Sequence, residues 1–265
     1  MIQNVVILGC SNGKSLDTAD EIAQLCAYLQ QQGIQTTLRP TVFINEQTQN
    51  THTAKQRATT LMNALLDPSV DAIFDVTGGD LANEVLAELD PKQLESLTHQ
   101  PYYVAYSDNT VLLNALYSYV QPVNFLVTHL LHSEIARTNF EAFFLSGKKF
   151  PLSIKQPVYG GNLRCFLKLA GTEFFPTEKI TALLIEGASG DLNKVRTYLA
   201  QLALMGIFDT LEVLIVGQFS EINQKGQHEQ LADCLNAYAA KYQFAICTTN
   251  QVGHHHEVYP FDYKR

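Results

Sequence analysis

The 265-residue sequence lacks any segment that could cross a membrane, because no window of eighteen consecutive residues is apolar. It also lacks a basic N-terminal region followed by an apolar stretch, so no secretory signal is expected. Basic residues are scarce: 18 lysines and arginines stand against 26 acidic residues, for a net charge of −8. Nucleic acids and anionic membranes need a basic surface, so neither is expected as a main partner. We therefore expect a cytoplasmic protein.

Cysteine is also scarce, and its spacing excludes two classes of small stabilised domain. The five cysteines are odd in number and widely scattered, and no CxxC spacing occurs. Neither a zinc site nor a disulfide framework is indicated. We expect reduced, mostly buried thiols and no bound metal. The five are Cys10, Cys26, Cys165, Cys234 and Cys247.

Short apolar runs alternate with helical patterns through the first half of the chain. This alternation predicts parallel βαβ units with helices covering both faces of the sheet. Thr18 and Glu21 have the spacing of a capping box at the start of the first helix. The predicted strands are residues 4–9, 34–39, 70–76 and 102–106, and the predicted helices are residues 18–32, 54–66, 81–89 and 110–119.

A stretch containing proline and glycine, "SGKKFPLSIKQPVYGGN", interrupts this alternation at residues 146–162. It predicts a boundary between an N-terminal α/β domain of residues 1–145, with three layers around a parallel sheet, and a smaller C-terminal α/β domain of residues 162–265. Residues 146–161 are the predicted linker. A chain of this length can form two such cores. The later strands are predicted at 181–186, 213–217 and 244–248, and the later helices at 192–205 and 227–242.

The loop "GCSNGKS" after the first strand is similar to a phosphate-binding loop but is one residue too short. The P-loop pattern is GxxxxGK[ST], because its backbone N–H groups must surround a phosphate before lysine and serine reach it. We therefore interpret this loop as a strand-to-helix turn of small residues. Lys14 is either an accident of spacing or a substrate contact.

Ser107 lies between a predicted buried strand and a predicted helix, where an α/β sheet commonly binds its ligand. Ala105 and Asn109 flank it at a distance of two residues. A nucleophile elbow needs residues at these positions that are small or tolerate unusual backbone angles. The alternative is that Ser107 or Asp108 merely caps the following helix.

A carboxylate and three histidines follow later strands. Glu186 ends the apolar strand "TALLIEG", where it is either a solvated strand end or a positioned carboxylate. His254, His255 and His256 are consecutive. Adjacent residues of an extended segment point to opposite faces, so the three are not expected to converge on one metal ion.

Taken in order, several segments resemble the LD-carboxypeptidase family of serine peptidases, which includes muramoyl-tetrapeptide carboxypeptidases and microcin C self-immunity peptidases. "AIFDVTGGDLANEVLAELD" resembles the family's strand, Gly-Gly turn and helix, and "VAYSDNTVLLNALY" its G-x-S-D-x-T nucleophile segment. "VYGGNLRCFLKLAGTEFFP" is similar to its G-G-N-L element. "ALLIEGASGDLNKVRTYLAQLALMGIFDTLEVLIVGQF" resembles its glutamate-bearing strand with the next helix and strand, and "VGHHHEVYP" its terminal Gly-His segment.

The resemblance implies a serine carboxypeptidase that uses a Ser-Glu-His triad and forms an acyl-enzyme, without a cofactor or a metal. His256 would share the face of His254 in an extended segment and is the alternative base. The matching residues are Ser107 as nucleophile, Glu186 as acid and His254 as base, with the backbone N–H groups of Gly78, Gly79 and Asp108 as the oxyanion hole.

The resemblance also implies a small peptide or a peptidyl-nucleotide as substrate, a role in peptidoglycan recycling or microcin immunity, and a homodimer. The sequence departs from the family at Ala105, at Gly187 and in the shortened segment 144–160. These departures keep open a second reading, a catalytically divergent member that binds a ligand or a partner in the same cleft. The candidate clamps for a substrate carboxylate are Arg39, Arg57, Arg137 and Arg164.

Overall fold

The computed structural model describes residues 1–150, 154–255 and 257–264, and in these ranges ten strands form two separate sheets. The strands are β1 Asn4–Leu8, β2 Gln35–Leu38, β3 Ala72–Asp75, β4 Tyr102–Ala105, β5 Gln121–Asn124, β6 Val158–Asn162, β7 Ala182–Gly187, β8 Val213–Phe219, β9 Ala245–Thr248 and β10 Phe261–Asp262. The six-stranded sheet has the order β10-β5-β4-β3-β1-β2, and the four-stranded sheet has the order β6-β7-β8-β9. Every neighbouring pair is parallel except β5 and β10.

Helices connect these parallel strands, so the predicted α/β class and the two sheet-based parts of the fold are confirmed. They are α1 Ala19–Gln31, α2 Ala54–Leu66, α3 Ala82–Leu86, α4 Pro91–Glu95, α5 Thr110–Ala115, α6 Glu134–Phe140, α7 Leu163–Leu167, α8 Leu192–Leu204, α9 Ser220–Gln224 and α10 His228–Tyr242. Along the described parts of the chain, no helix has the length and apolar character that a bilayer span requires.

The interior strands of both sheets are largely buried, whereas the edge strands differ in burial. All residues of β3 and β7, which lie inside their sheets, are buried. Two edge strands, β2 and β9, are exposed or half-buried, and the other two, β6 and β10, are buried. Interior strands of parallel sheets are covered on both faces and are therefore mostly apolar, which explains the clear signal of "AIFD" and "ALLIEG" in the sequence, although each includes one buried carboxylate.

The predicted capping box of the first helix is wrong. The side chain of Thr18 accepts no capping hydrogen bond, and its hydroxyl donates instead to the carbonyl oxygen of Ser15 at 2.7 Å. A short 3₁₀ turn over Leu16–Thr18 precedes α1, so Thr18 is the last residue of this turn and does not cap α1. The capping box that does form belongs to α2, between Thr53 and Gln56.

The predicted linker of residues 146–161 overlaps a strand, because residues 158–161 belong to β6. The two glycines there, with φ of +102° and +119°, permit close packing rather than a flexible loop. A Cβ atom on Gly160 would lie 2.1 Å from the carbonyl oxygen of Leu184, and one on Gly161 would lie 2.6 Å from the Tyr263 hydroxyl. Residues 151–153 of the predicted linker lie outside the described ranges.

The end of the chain returns to the first sheet. Phe261 and Asp262 form β10 and pair with β5 in antiparallel register. The predicted C-terminal segment of residues 162–265 therefore contributes to both sheets. Between β9 and β10, His254 lies against Glu186 of β7 and against Ser107, which follows β4.

Candidate active site

Ser107 occupies a sharp turn between β4 and α5. Its φ of +56° is unusual for a residue with a side chain. Such backbone strain persists only when the surrounding structure enforces it, and it is concentrated at functional sites. The alternative role in capping is not observed, because the N-cap position of α5 is Asn109 and makes no side-chain cap. The turn places the Ser107 hydroxyl in front of His254.

Three side chains from distant segments form one series of hydrogen bonds. The Nδ1 atom of His254 lies 2.7 Å from Oε2 of Glu186, and its Nε2 atom lies 3.2 Å from Oγ of Ser107. Glu186 is completely buried, and the imidazole is 16% exposed. An ionised carboxylate only accepts hydrogen bonds, so it selects the tautomer that carries its proton on Nδ1. The Nε2 lone pair is then free to accept the serine proton.

The second sheet brings Glu186 and His254 together through a glycine on β8. A Cβ atom on Gly217 would lie 3.1 Å from the Cβ of Glu186 and 2.7 Å from the carbonyl oxygen of Val252. The absence of a side chain therefore lets the segment after β9 approach the glutamate. The backbone N–H of Gln218 donates to the same Val252 carbonyl at 2.8 Å and fixes that segment on β8.

The Gly-Gly turn after β3 lies beside the serine. A Cβ atom on Gly78 would be 3.8 Å from the Cβ of Ser107 and 4.0 Å from its Oγ. The side-chain oxygen of Asn12 accepts a hydrogen bond from the Asp80 N–H at 2.8 Å, and the Asn12 N–H donates to the Gly78 carbonyl at 3.2 Å. A Cβ atom on Gly79, which has a φ of +127°, would lie only 2.2 Å from that side-chain oxygen. The loop after β1 therefore holds this turn against Ser107.

The side chain of Asp108 anchors the same region from inside the protein. It is fully buried, and its Oδ2 atom accepts hydrogen bonds from the Ser11 hydroxyl at 2.7 Å and from the Ala82 N–H at 2.8 Å. Its Oδ1 atom lies 2.5 Å from Nζ of Lys168. The carboxylate thus joins the loop after β1 to α3 and to Lys168 at the end of α7, while the Asp108 backbone remains next to the nucleophile.

The loop that resembles a P-loop has no N–H groups available for a phosphate along its first six residues. Each backbone N–H from Gly9 to Lys14 already donates to an acceptor of the protein. A phosphate cradle needs such groups to converge on the ligand instead. In order, the acceptors are the hydroxyl of Thr41, the carboxylate of Asp75, the hydroxyl of Thr77, the carbonyl of Gly78, the hydroxyl of Thr51 and the carbonyl of Val42.

The described histidines of the triplet have different surroundings. His254 contacts Glu186 and Ser107, whereas the Nδ1 atom of His255 accepts a hydrogen bond from the Glu257 N–H at 3.2 Å. His256, the alternative base, lies outside the described residues. No group of three side chains suited to a metal ion occurs within residues 1–150, 154–255 and 257–264.

Sequence reasoning missed Tyr106, whose ring packs against the imidazole of His254 with 4.2 Å between the ring centroids. Tyr106 is buried, and burial, with a smaller contribution from the charge of Glu186, raises the pKa of its phenol. The phenol therefore stays neutral. Its position immediately before Ser107, at the end of a buried strand, is the signal that could have identified it.

The structure separates the four arginines that could hold a substrate carboxylate. Arg57 is buried and donates to three main-chain carbonyl groups and to a glutamate. Arg137 donates to the carbonyl of Leu130 at 2.5 Å. Arg39 is half-buried, and hydrogen bonds from Ser69, with a smaller contribution from the charge of Arg39, lower the pKa of the exposed Asp67. Arg164 is the member of the four that contacts the Gly-Gly turn.

Two family models match this chain in sequence order. The model described as the LD-carboxypeptidase N-terminal domain matches residues 5–126, and the model described as the LD-carboxypeptidase C-terminal domain matches residues 156–264. Curated relatives include a predicted carboxypeptidase of Vibrio cholerae, 25% identical, with a match that covers 74% of this chain and 73% of the relative. Another is the predicted carboxypeptidase YocD of Bacillus subtilis, 26% identical over 63% of each chain.

Solved structures share the fold over nearly the whole chain. The microcin C7 self-immunity protein MccF, as an inactive mutant without ligand, superimposes with a TM-score of 0.82 at 17% identity and covers 99% of this chain and 92% of its own. A muramoyltetrapeptide carboxypeptidase from Oxalobacter formigenes gives a TM-score of 0.80 at 19% identity, with 98% and 92% coverage. At these identities the likeness concerns the fold alone.

Proposed function

This chain belongs to the LD-carboxypeptidase family, and on that premise we propose that it is a serine peptidase that hydrolyses an amide bond through an acyl-enzyme on Ser107. The observation that carries the proposal is the series of hydrogen bonds from Glu186 through His254 to Ser107. A serine hydroxyl is a poor nucleophile until a base removes its proton, and this series provides a base with its tautomer set.

The proposed reaction follows from which atoms face one another. Nε2 of His254 takes the proton of Ser107 as Oγ attacks the substrate carbonyl, and the buried Glu186 stabilises the resulting imidazolium. The imidazolium then protonates the leaving nitrogen, and the amine departs. Water, deprotonated by the same imidazole, attacks the ester on Ser107 and releases the acid product.

The negative oxygen of the tetrahedral intermediate needs donors on the side of Ser107 opposite the base. We assign this role to the backbone N–H groups of Gly78, Gly79 and Asp108. Support comes from the position of Gly78, where a methyl group would be 4.0 Å from the Ser107 Oγ and where glycine leaves that space open. One such donor contributes about 3 kcal/mol to the transition state.

Two substrate classes suit this chemistry. Among the solved relatives, MccF has been determined in complex with aspartyl sulfamoyl adenosine and with glutamyl sulfamoyl guanosine, and another is named a muramoyltetrapeptide carboxypeptidase. We propose a small peptide with a free terminal carboxylate or an aminoacyl or peptidyl conjugate of a nucleotide. A cytoplasmic homodimer that acts in peptidoglycan recycling or microcin immunity is part of the same proposal.

The test combines active-site labelling with turnover of both substrate classes. A fluorophosphonate probe should label the wild-type protein at Ser107, and the protein should hydrolyse either an LD-tetrapeptide or aspartyl sulfamoyl adenosine. Ser107→Ala should lose labelling and hydrolysis while its thermal midpoint stays within about 2 °C of wild type, because the hydroxyl adds little packing. Ser96→Ala, at an exposed serine after α4, is the matched control and should change neither.

The same experiment can contradict the proposed peptidase function. If the folded wild-type protein is not labelled and hydrolyses neither substrate, the proposed chemistry is wrong. The catalytically divergent reading, in which the cleft only binds, would then be supported by saturable binding of either substrate without turnover.

A further inference from the structure

A cation on α7 lies against the Gly-Gly turn that flanks Ser107. The Nη1 atom of Arg164 donates to Oδ1 of Asp80 at 2.7 Å, and its Nη2 atom donates to the carbonyl oxygen of Gly79 at 3.3 Å. The guanidinium is therefore attached to the backbone of this turn as well as to a side chain. A group held by two such contacts is oriented before any ligand arrives.

Arg164 has unused capacity for an anion. A guanidinium carries five N–H donors, and the contacts with Asp80 and Gly79 occupy two of them. The side chain of Arg164 is 38% exposed and that of Asp80 is 70% exposed. An ion pair in such solvent contact is weak, so a ligand carboxylate can replace the aspartate.

The neighbouring cation does not have this freedom. Lys168 is one turn further along, and its Nζ atom lies 2.5 Å from the buried carboxylate of Asp108 and 3.2 Å from the Asp80 carbonyl oxygen. Its side chain is 21% exposed, against 0% for Asp108. Removal of this lysine would leave a buried carboxylate without its counter-charge, so its role is to hold Asp108 in place.

The position of Arg164 matches the shape of the proposed substrate. Gly79, whose carbonyl it contacts, directly follows Gly78, which lies beside Ser107 where the scissile carbonyl must bind. In a terminal amino acid the carboxylate carbon is two bonds from the scissile nitrogen. This neighbourhood suits a substrate whose carbonyl faces Ser107 and whose carboxylate faces Arg164.

We infer that Arg164 binds the anionic group attached to the leaving nitrogen of the substrate and thereby selects for substrates that carry one. In the free protein Asp80 occupies this position, and the substrate anion displaces it. The inference rests on the proposed function. A terminal carboxylate and the sulfonyl oxygens of an acyl sulfamate share this chemistry, since both are joined closely to the scissile nitrogen.

A purely structural role for Arg164 and a role in binding the substrate predict different effects of Asp80→Asn on kcat and KM. If Arg164 only braces the turn through Asp80, loss of either partner loosens the oxyanion donors and lowers kcat in the same way. If Asp80 instead competes with the substrate anion, Asp80→Asn frees the guanidinium and lowers KM. The sign of the Asp80→Asn effect on KM therefore separates the two roles.

The experiment measures kcat and KM for wild type, Arg164→Gln and Asp80→Asn. Arg196→Gln, on the exposed side of α8, is the matched control and should leave both constants unchanged. The substrates are a tetrapeptide ending in L-Lys–D-Ala, the same peptide with a terminal carboxamide, and aspartyl sulfamoyl adenosine. For the anionic substrate that is turned over, Arg164→Gln should raise KM about 10- to 100-fold with kcat within about threefold. Asp80→Asn should lower KM about two- to fivefold.

Comparison of the peptide acid with the peptide carboxamide tests whether Arg164 recognises the negative charge. Wild type should turn it over with a raised KM, and Arg164→Gln should add no further loss. An equal loss on the acid and the carboxamide, or a fall in kcat without a rise in KM, would overturn the inference. An effect confined to the sulfamoyl conjugate would assign the site to that anion instead of a terminal carboxylate.

Binding to an inactive protein separates this inference from the proposed function. Calorimetric titration of the tetrapeptide into Ser107→Ala and into Ser107→Ala/Arg164→Gln needs no turnover. Tighter binding of the acid than of the carboxamide, lost with Arg164, supports the inference even if the wild type hydrolyses nothing. Two results together would overturn the inference about Arg164. The acid and the carboxamide would bind equally to Ser107→Ala, and Arg164→Gln would not weaken the binding of aspartyl sulfamoyl adenosine.

Discussion

The Nε2 atom of His254 lies 3.2 Å from the Oγ atom of Ser107, although 147 positions separate the two residues in the chain. Ser107 follows a strand of the first sheet, whereas Glu186 belongs to a strand of the second. The side chain of Asn114 on α5 joins the two parts, since it donates to the Gly160 carbonyl and accepts from the Gly160 N–H, both at 2.8 Å. The geometry of the candidate site therefore depends on how the two sheets pack together.

Substitution of the two described histidines should have unequal effects. His254→Ala should lower kcat by several orders of magnitude, because it removes the group placed between Glu186 and Ser107. His255→Ala should cost about tenfold or less, because His255 accepts from a backbone N–H of its own loop. Steady-state hydrolysis of the confirmed substrate measures both. If His254→Ala were active and His256→Ala inactive, His256 would be assigned as the general base instead of His254.

Replacement of the buried carboxylate should impair the base without removing it. In Glu186→Gln the side-chain amide can donate to Nδ1 of His254, which moves the imidazole proton to Nε2 and leaves the Ser107 hydroxyl without an acceptor. We expect kcat to fall about 10⁴-fold while the fold is retained. Glu229→Gln, at an exposed position on α10, is the control. A Glu186→Gln variant with more than a tenth of wild-type turnover would remove Glu186 from the proposed triad.

The two glycines of the turn should respond differently to alanine. Gly79→Ala forces a side chain into a φ of +127° and within 2.2 Å of the Asn12 side chain, so it should lower the free energy of unfolding by about 1–3 kcal/mol. Gly78→Ala makes only ordinary contacts and should fold normally. Its methyl group occupies the space beside the Ser107 Oγ, so kcat/KM should fall about 100-fold or more.

Denaturant unfolding and kinetics on both variants test this contrast. Normal stability in Gly79→Ala would show that the Asn12 contact is readily relaxed. Full activity in Gly78→Ala would show that the substrate carbonyl binds elsewhere.

The buried cysteines should resist alkylation in the folded protein. Burial raises the pKa of Cys165 to about 12 and also raises the pKa of Cys10. A raised thiol pKa keeps the unreactive protonated form, so the thiolate fraction of Cys165 at pH 8 is about 10⁻⁴. Iodoacetamide should therefore modify half-buried Cys247 well before Cys165, even at pH 10.

Mass spectrometry of peptides after timed alkylation provides the measurement. The unfolded protein, in which all five cysteines should react, is the control. Rapid modification of Cys165 before Cys247 at pH 8 would contradict the burial of this side of α7.

Local patterns in the sequence were sufficient for most elements that carry a strong apolar signal. The helix at 54–66 was predicted with the bounds that α2 has, and the buried strands β3 and β7 were placed to within two residues. The sequence patterns miss β5, which contains Pro122, and β6, which contains Gly160 and Gly161, because these residues weaken the strand signal. In β6 the glycines serve contacts with Leu184 and Tyr263, which are distant in the chain.

The sequence likewise predicts some features of the candidate site, and only the tertiary structure shows the others. Ser107, Glu186 and His254 could be selected from the sequence, because each follows or ends a recognisable strand in a segment that resembles one family. Only the tertiary structure brings the three together, identifies Arg164 as the arginine beside the turn and reveals the ring of Tyr106 against the imidazole.

The physical reason is the range over which each interaction acts. Propensity, capping and strand burial depend on a few consecutive residues, so they leave a signal in the sequence itself. The hydrogen bonds of the site join residues 68 and 147 positions apart, and their lengths depend on close approaches permitted at glycines such as Gly217. Those distances exist only once both sheets have packed.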